Sequence, residues 1–198
     1  MIPNSPHSIP NLEAVSEIII TIAKDEILSR YKHLQKNEIS EKGMGEIVTA
    51  ADIQSEIRLA KELTSLIPES KVIGEEEYDQ NKNIIERFDG DEPVWVLDPL
   101  DGTRNFSQGK PCFCTIVAYC MKNTTYLGWI YDPINNNMFF AAKGRGAWCN
   151  DNKIEKSIAL KLSEMVGSIG KQRREHLSTY YSKINTELPY FGTKSVVP

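Results

Sequence analysis

The sequence predicts a protein of the α+β or α/β class, and three features of its pattern support this class. Two stretches near the N-terminus carry apolar residues at three- and four-residue steps, as amphipathic helices do. The run Val94–Leu97 is apolar at every position, which is typical of a strand buried on both faces. From Cys112 to Cys149, short strand-like runs alternate with turn residues, as in an antiparallel meander.

The two helices come first along the chain. The first is predicted within Asn11–Leu34, and the second from Ala50 to Ile67, where Pro68 stops it. The segment 41–46 between them is rich in glycine and charge, so it is predicted to be a flexible polar loop. The apolar residues of the second helix fall on one face, formed by Ile53, Ile57, Ala60, Leu63 and Ile67.

The predicted strands follow the helices. Val72–Ile73 ends at Gly74, and the buried strand Val94–Leu97 ends at Asp98. The meander is predicted to contain four strands, at Phe113–Cys120, Tyr126–Tyr131, Asn137–Ala142 and Ala147–Cys149.

Beyond Asp151 the pattern changes, and a second domain is predicted to begin there. Residues 1–150 would form an N-terminal α+β domain, and residues 151–198 would start a C-terminal α/β domain. This second part is predicted to contain a strand at Val166–Ile169 and a helix at about Arg173–Leu188. We expect the C-terminal domain to be incomplete.

Composition excludes several classes of partner. The 198 residues are 40% hydrophobic and 25% charged, which is typical of a globular protein. Lys and Arg total 23 against 27 Asp and Glu, so nucleic acid is not an expected partner. No apolar run approaches the roughly 18–20 residues of a membrane span, and the first ten residues do not resemble a signal peptide. The four cysteines are predicted to be buried reduced thiols, which favours the cytoplasm.

The most informative segment is Asp98-Pro99-Leu100-Asp101-Gly102-Thr103. Open α/β sheets bind ligands at the carboxyl ends of their strands, where Asp98 lies. Two carboxylates held close together repel and need a cation or a proton between them. Their hard oxygen atoms favour Mg²⁺, which also accepts phosphate oxygens as ligands.

Two further segments support a site but also have simpler interpretations. Gly74-Glu75-Glu76-Glu77 follows a strand, so a carboxylate there could complete a metal site, although acidic runs are commonly solvated surface. Thr49 and Asp52 have the spacing of a capping box at the start of the second helix. A catalytic role for Asp52 is compatible with this capping role.

These segments together resemble the inositol monophosphatase family. Residues 98–106 match the family's DPxDGTxNF signature, while residues 74–76 and 48–52 match its other N-terminal motifs. Residues 143–147 with Asn150 resemble its KGxGA…N hairpin. The resemblance implies a layered α-β-α-β-α fold of the sugar-phosphatase type and a homodimer. It also implies lithium-sensitive hydrolysis of phosphate monoesters with two or three Mg²⁺ ions, on a small phosphorylated substrate.

The resemblance also assigns roles to individual residues. It implies that Glu75, Asp98, Asp101 and the carbonyl oxygen of Leu100 bind magnesium. Catalysis is assigned to Glu75, Thr103 and Asp52, of which Thr103 and Asp52 would orient the attacking water. Substrate binding is assigned to the backbone N–H groups of Gly102 and Thr103 and to Lys42 in the glycine-rich loop.

One departure from the family pattern affects the expected activity. The family places a further metal-binding aspartate in a Trp-Asp motif, and the three tryptophans here lie at positions 95, 129 and 148, upstream of such a motif. We therefore expect a binding module with weak or no catalysis as one alternative to an inositol-monophosphate phosphatase.

Other phosphatases remain alternatives. Within the family these act on histidinol phosphate, fructose bisphosphate or 3′-phosphoadenosine-type bisphosphate nucleotides. Outside it, haloacid dehalogenase-type phosphatases also have an Asp-Gly-Thr segment after an apolar strand. Their aspartates are spaced Asp-x-Asp, however, whereas two residues separate Asp98 from Asp101.

Overall fold

The structure is a computed structural model, and it describes residues 9–43 and 46–155. Among these, the residues up to Ile154 form one compact unit. The elements predicted at Val166–Ile169 and Arg173–Leu188 lie outside the described residues, and the domain boundary after residue 150 stays a prediction. The described part contains a layer of helices packed on a mixed sheet, in agreement with the predicted fold class.

The first predicted helix is shorter than the pattern indicates. Helix α1 spans Leu12–Ile22 and is capped by Asn11, whose side chain accepts a hydrogen bond from Ala14 N at 2.9 Å. A π-helical turn, Ala23–Leu28, continues it, and Lys32 then takes a positive φ of 64° that ends the helical path. The buried residues of α1 are those of the predicted apolar spacing.

Helix α2, Ala50–Leu66, confirms the second predicted helix, and Leu63 and Ile67 of its predicted apolar face are buried, but the N-terminal half of that face is not. Ile53 and Ile57 are exposed, at 40% and 57% of their surface. Leu59 and Leu63 are fully buried beneath α1 and the sheet. The face that packs inward also carries polar side chains, namely Asp52, Ser55 and Glu56. The hydrogen bonds of Asp52 and Glu56, described below, explain why this face is the buried one, whereas Ser55 Oγ is buried without a partner among the described residues.

The predicted loop at 41–46 is replaced by a β-hairpin. Strand β1, Ile39–Gly43, pairs antiparallel with β2, Glu46–Thr49. The prediction of a flexible loop was therefore wrong for the described residues of this segment. Ladder hydrogen bonds to the apolar residues of β2, together with ion pairs of Lys42, hold β1 in place.

A seven-stranded sheet forms the second layer, and its strands lie side by side in chain order. The first pair is parallel and every other pair is antiparallel, which confirms the predicted meander. Helix α3, Glu75–Gln80, and a 3₁₀ helix, Lys82–Asp89, join the parallel strands. The strands are β3 Lys71–Gly74, β4 Val94–Asp101, β5 Cys114–Met121, β6 Thr124–Asp132, β7 Asn137–Ala142, β8 Gly146–Cys149 and β9 Asn152–Lys153.

The core lies between the helices and one face of the sheet. Trp95 and Trp129 are buried at its centre, with ring centroids 6.2 Å apart, and Trp95 Nε1 donates to Ser70 Oγ at 3.0 Å. The prediction of buried thiols holds for Cys120 and is wrong for Cys112, which is exposed because it precedes β5 rather than lying in it. All four cysteines are unpaired. Within the described ranges, no helix has both the length and the apolar character needed to cross a bilayer.

Candidate active site

The carboxyl ends of β3 and β4 bring the first two site residues together. In the parallel register Gly74 lies opposite Leu97, so the residues that follow, Glu75 and Asp98, are neighbours at the same edge. The Glu75 and Asp98 side chains are close enough for each charge to act on the other. Burial, the nearby Glu75 charge and then the Asp101 charge raise the pKa of Asp98 to about 8. Two carboxyl groups in contact therefore share a proton when nothing else compensates their charge.

Strand β4 does not end at Asp98, as the sequence predicted, but continues to Asp101 through a bulge. Asp98 pairs with Ile116 and Asp101 pairs with Cys114, so β4 has one residue more than β5 between these two pairs. The bulge contains Pro99, which cannot donate a ladder hydrogen bond. Instead, Thr115 Oγ1 donates to the Pro99 carbonyl oxygen at 2.9 Å. The extra residue brings the side chain of Asp101 close enough to influence Asp98.

The donor set at this edge fits a hard divalent cation. Asp98 Oδ1 is buried and has no hydrogen-bond partner among the described residues. Carboxylate and carbonyl oxygens are the ligands that Mg²⁺ and Ca²⁺ prefer. No ready-made group of three His, Cys, Asp or Glu side chains for a metal ion occurs within residues 9–43 and 46–155. The Glu75 side chain is 43% exposed, and its Oε1 lies 3.5 Å from Lys42 Nζ.

Gly102 forms the turn between β4 and helix α4, Thr103–Ser107. Its φ of +93° is left-handed, and a Cβ there would lie 2.7 Å from the carbonyl oxygen of Cys112. Only glycine therefore fits without a shift of the backbone. The turn places Thr103 at the first position of α4, facing the start of α2.

Thr103 and Asp52 are in direct contact, although they lie 51 residues apart. Thr103 Oγ1 is 2.7 Å from Asp52 Oδ1 and 2.9 Å from the Leu100 carbonyl oxygen. The hydroxyl has one proton and two acceptors, so it can donate to only one of them at a time. The other oxygen of Asp52 accepts hydrogen bonds from Thr49 N at 2.8 Å and Thr49 Oγ1 at 2.5 Å, which confirms the predicted capping box. Burial raises the pKa of Asp52, and these hydrogen bonds oppose that effect.

Lys42 lies among carboxylates. Its Nζ is 2.6 Å from Glu76 Oε2, 2.9 Å from Asp79 Oδ2 and 3.5 Å from Glu75 Oε1. Burial raises the pKa of Glu76 to about 7, and the Lys42 ammonium opposes that rise. These ion pairs hold the pKa of Lys42 above its usual value. The structure thus connects β1 to α3 beside the proposed metal ligands.

Glu56 is a residue of this region that sequence reasoning missed. Its carboxylate is buried and accepts hydrogen bonds from Glu76 N at 2.8 Å and from Glu77 N at 2.9 Å. The available signal was its position four residues after Asp52, since such residues share a helix face. The isoleucines next to these residues in the chain, Ile53 and Ile57, gave the exposed face an apolar pattern in the sequence.

The predicted hairpin motif has a structural role. Residues 143–145 form the turn between β7 and β8, and Gly144 in the turn and Gly146 at the start of β8 both have positive φ. Asn150 Oδ1 accepts a hydrogen bond from Met138 N at 2.8 Å, so this side chain ties β7 to the chain after β8.

Comparison with known proteins gives one consistent family. The profile of the inositol monophosphatase family matches residues 11–191. An inositol monophosphatase from Dictyostelium discoideum is 36% identical over 140 residues, which are 71% of this chain and 50% of that protein. A Nus factor SuhB from Haemophilus influenzae is 37% identical over 128 residues, 65% of this chain and 46% of that protein. The chain therefore spans about half the length of these curated relatives.

Solved structures confirm the fold class. The IMPase of Thermotoga maritima aligns with a TM-score of 0.70 and 25% identity, over 87% of this chain and 64% of that one. A Ca-bound IMPase family protein from Staphylococcus aureus aligns with a TM-score of 0.58 and 26% identity, over 79% and 57% of the two chains.

Proposed function

This chain belongs to the inositol monophosphatase family, and from that membership we propose that it hydrolyses small phosphate monoesters with Mg²⁺, inositol monophosphate being its substrate. The observation that carries the proposal is the buried, unpartnered oxygen of Asp98 beside two further carboxylates. A buried carboxylate oxygen without a donor, beside two further carboxylates, has to be neutralised by a proton or by a cation, and a bound metal ion supplies the cation. The inositol monophosphatase names of several relatives support the substrate class.

The proposed metal ligands are the side chains of Glu75, Asp98 and Asp101 and the carbonyl oxygen of Leu100. They are oxygen donors only, and a structural neighbour is described as Ca-bound, which supports a hard divalent ion. When bound, Mg²⁺ supplies Lewis acidity, which lowers the pKa of a water molecule and stabilises the leaving oxygen.

The other residues would position the substrate and the water. In the proposal, Asp52 keeps Thr103 Oγ1 oriented at 2.7 Å, so the hydroxyl can hold the attacking water. The backbone N–H groups of Gly102 and Thr103 would bind phosphate oxygens, because the left-handed Gly102 lets the chain approach a ligand closely. Lys42 would stay with Glu76 or move toward the phosphate.

Fructose 1,6-bisphosphate is a second candidate substrate. A fructose-1,6-bisphosphatase/inositol-1-monophosphatase from Thermotoga maritima is 33% identical over 128 residues, which are 65% of this chain and 46% of that protein. Both substrates present a phosphate monoester on a polyol, so the proposed metal site would act on either. A homodimer, lithium inhibition and a cytoplasmic location stay predictions.

Phosphate release measured with and without Mg²⁺ tests the proposal. We expect Mg²⁺-dependent release from inositol 1-phosphate that exceeds release from fructose 1,6-bisphosphate. Asp98→Asn should abolish release. Asp91→Asn is the matched control, because Asp91 is 84% exposed and pairs only at the surface with Lys122. Folded protein that gives no Mg²⁺-dependent release from either substrate would overturn the proposal.

A further inference from the structure

The N-terminus of α3 is capped by a side chain from another helix. Its N-cap residue is Gly74, which has no side chain that could accept a hydrogen bond. The first-turn N–H groups of a helix lack partners within the helix. The Glu56 carboxylate from α2 accepts two of them, one with each oxygen, from Glu76 N at 2.8 Å and Glu77 N at 2.9 Å.

The Glu56 carboxylate occupies the space that a side chain at position 74 would need. A Cβ on Gly74 would lie 2.2 Å from Glu56 Cδ and 2.5 Å from each carboxylate oxygen. The backbone of Gly74 is ordinary extended chain, with φ −97° and ψ 155°, which other residues also adopt. The need for glycine at this position therefore comes from the Glu56 carboxylate and not from the conformation of the backbone.

The contacts of Glu56 enclose the first residue of α3. The Glu56 carboxylate touches Gly74, which precedes Glu75, and accepts hydrogen bonds from the N–H groups of the two residues that follow Glu75. The backbone position of Glu75 is thus set by a rigid buried contact with α2. Asp52, one turn earlier on the same face of α2, accepts a hydrogen bond from the side-chain hydroxyl of Thr103.

We propose that Glu56 is a positioning residue that fixes the backbone from which the Glu75 carboxylate reaches a metal ion. This inference rests on the proposed function, in which Glu75 is a metal ligand. Through Asp52 and Glu56, one face of α2 then sets the distance between the metal-binding carboxylate on α3 and the hydroxyl on α4. Glu56 itself touches neither metal nor substrate.

Helix α3 has a second attachment, so its fold does not depend on Glu56 alone. The Arg87 guanidinium binds Glu77 at 2.5 and 2.8 Å and also donates to the Val72 carbonyl oxygen. Loss of the Glu56 carboxylate should therefore loosen the first turn of α3 and leave the rest of the helix in place.

The test compares Glu56→Gln with Glu26→Gln. Glutamine at 56 offers one acceptor and places its NH₂ group against the second N–H. Glu26 is also a partly buried carboxylate that contacts α2, through Arg58 at 2.7 Å, but it does not contact α3. We expect Glu56→Gln to weaken Mg²⁺ binding about 10–100-fold in calorimetry, as changes behind a metal ligand do. Glu26→Gln should lower Tm without changing Mg²⁺ affinity.

Hydrogen exchange gives a readout that needs no metal. In the metal-free protein, the amides of Glu76 and Glu77 should exchange faster in Glu56→Gln than in the wild type, while amides later in α2 should not change. A merely structural role would speed exchange throughout α2 and α3.

A double-mutant cycle provides a second test, and its first substitution leaves Glu56 in place. Gly74→Ala should displace the carboxylate and weaken Mg²⁺ binding. In a Glu56→Ala background the same substitution meets no carboxylate, so it should cause no further loss.

The outcomes separate this inference from the proposed function. Wild-type protein that binds no Mg²⁺ would overturn the proposed function. Wild-type protein that binds Mg²⁺, together with Glu56→Gln of equal affinity, would overturn only the positioning role. Additive effects of Gly74→Ala and Glu56→Ala would also overturn it.

Discussion

Replacing Asp98 with asparagine should make the metal-free protein more stable and remove its response to Mg²⁺. Asp98 lies against Glu75 and Asp101, and burial adds to the cost of its negative charge. Asparagine has nearly the same shape, carries no charge and can donate to the Glu75 carboxylate. The substitution therefore removes a repulsion that the folded protein otherwise carries.

The size of the effect follows from the pKa of Asp98, which rises from 3.8 to about 8 in the folded protein. Each pH unit between two pKa values is worth about 1.4 kcal/mol. Because the carboxyl group is only partly buried, solvent screening reduces the expected gain to about 1–3 kcal/mol. For a chain of this size, 1 kcal/mol corresponds to a Tm shift of about 2–4 °C.

The pH dependence has a definite sign. Between pH 4 and 8 the unfolded state has lost the Asp98 proton while the folded state still holds it, so wild-type stability falls as pH rises. The advantage of Asp98→Asn should therefore be absent near pH 4 and complete above about pH 8. Mg²⁺ offsets most or all of this advantage, because a cation at about a hundred times its Kd stabilises the wild type by about 2.7 kcal/mol.

The Tm of variant and wild type is measured in four conditions, at pH 5 and at pH 8, each with chelator and with excess Mg²⁺. Asp91→Asn, at the exposed surface position, serves as the control for loss of one charge. A lower Tm for Asp98→Asn in chelator, or an equal Mg²⁺ response in variant and wild type, would show that Asp98 is not an uncompensated metal ligand.

Two further substitutions test the neighbouring residues. Thr103→Val removes the hydroxyl that lies 2.7 Å from Asp52 Oδ1. Phosphate-release kinetics should show kcat lowered about 10²–10⁴-fold with KM little changed. An unchanged kcat would exclude a role for the hydroxyl. Gly102→Ala introduces a Cβ 2.7 Å from the Cys112 carbonyl oxygen, at a position with left-handed backbone. The free energy of unfolding, measured by urea titration, should therefore fall by about 2 kcal/mol or more. A change below about 0.5 kcal/mol would show that the turn adapts.

Local chemistry made part of the site predictable. Thr49 and Asp52 have the spacing of a capping box, and a capping box is formed by residues close in the chain. The sequence predicted Glu75 and Asp98 each at the end of a strand, and the parallel pairing of β3 with β4 in the structure puts them side by side. These features depend on short segments, each of which has one strongly favoured structure.

Tertiary contacts decided the features that the sequence did not predict. Helix α2 has two possible inward faces, and apolar spacing favoured the one with Ile53 and Ile57. The other face is buried because Asp52 and Glu56 bind groups on α3, α4 and the Thr49 cap. Likewise, segment 41–46 lacks apolar anchors, so its hairpin depends on ion pairs between Lys42 and a helix more than 30 residues away.

The carboxylates that stabilise the fold differ in their hydrogen bonds from the carboxylate that is available to bind a ligand. Glu56 and Asp52 are buried, and the protein itself satisfies both oxygens of each with N–H and O–H donors. Asp98 is partly buried and its Oδ1 is fully so, yet Oδ1 has no donor among the described residues and the nearest charged neighbours of Asp98 are acidic. A buried charge without internal compensation destabilises the protein unless a proton or an external cation neutralises it. Asp98 is therefore the carboxylate in this region whose negative charge requires a cation from outside the protein.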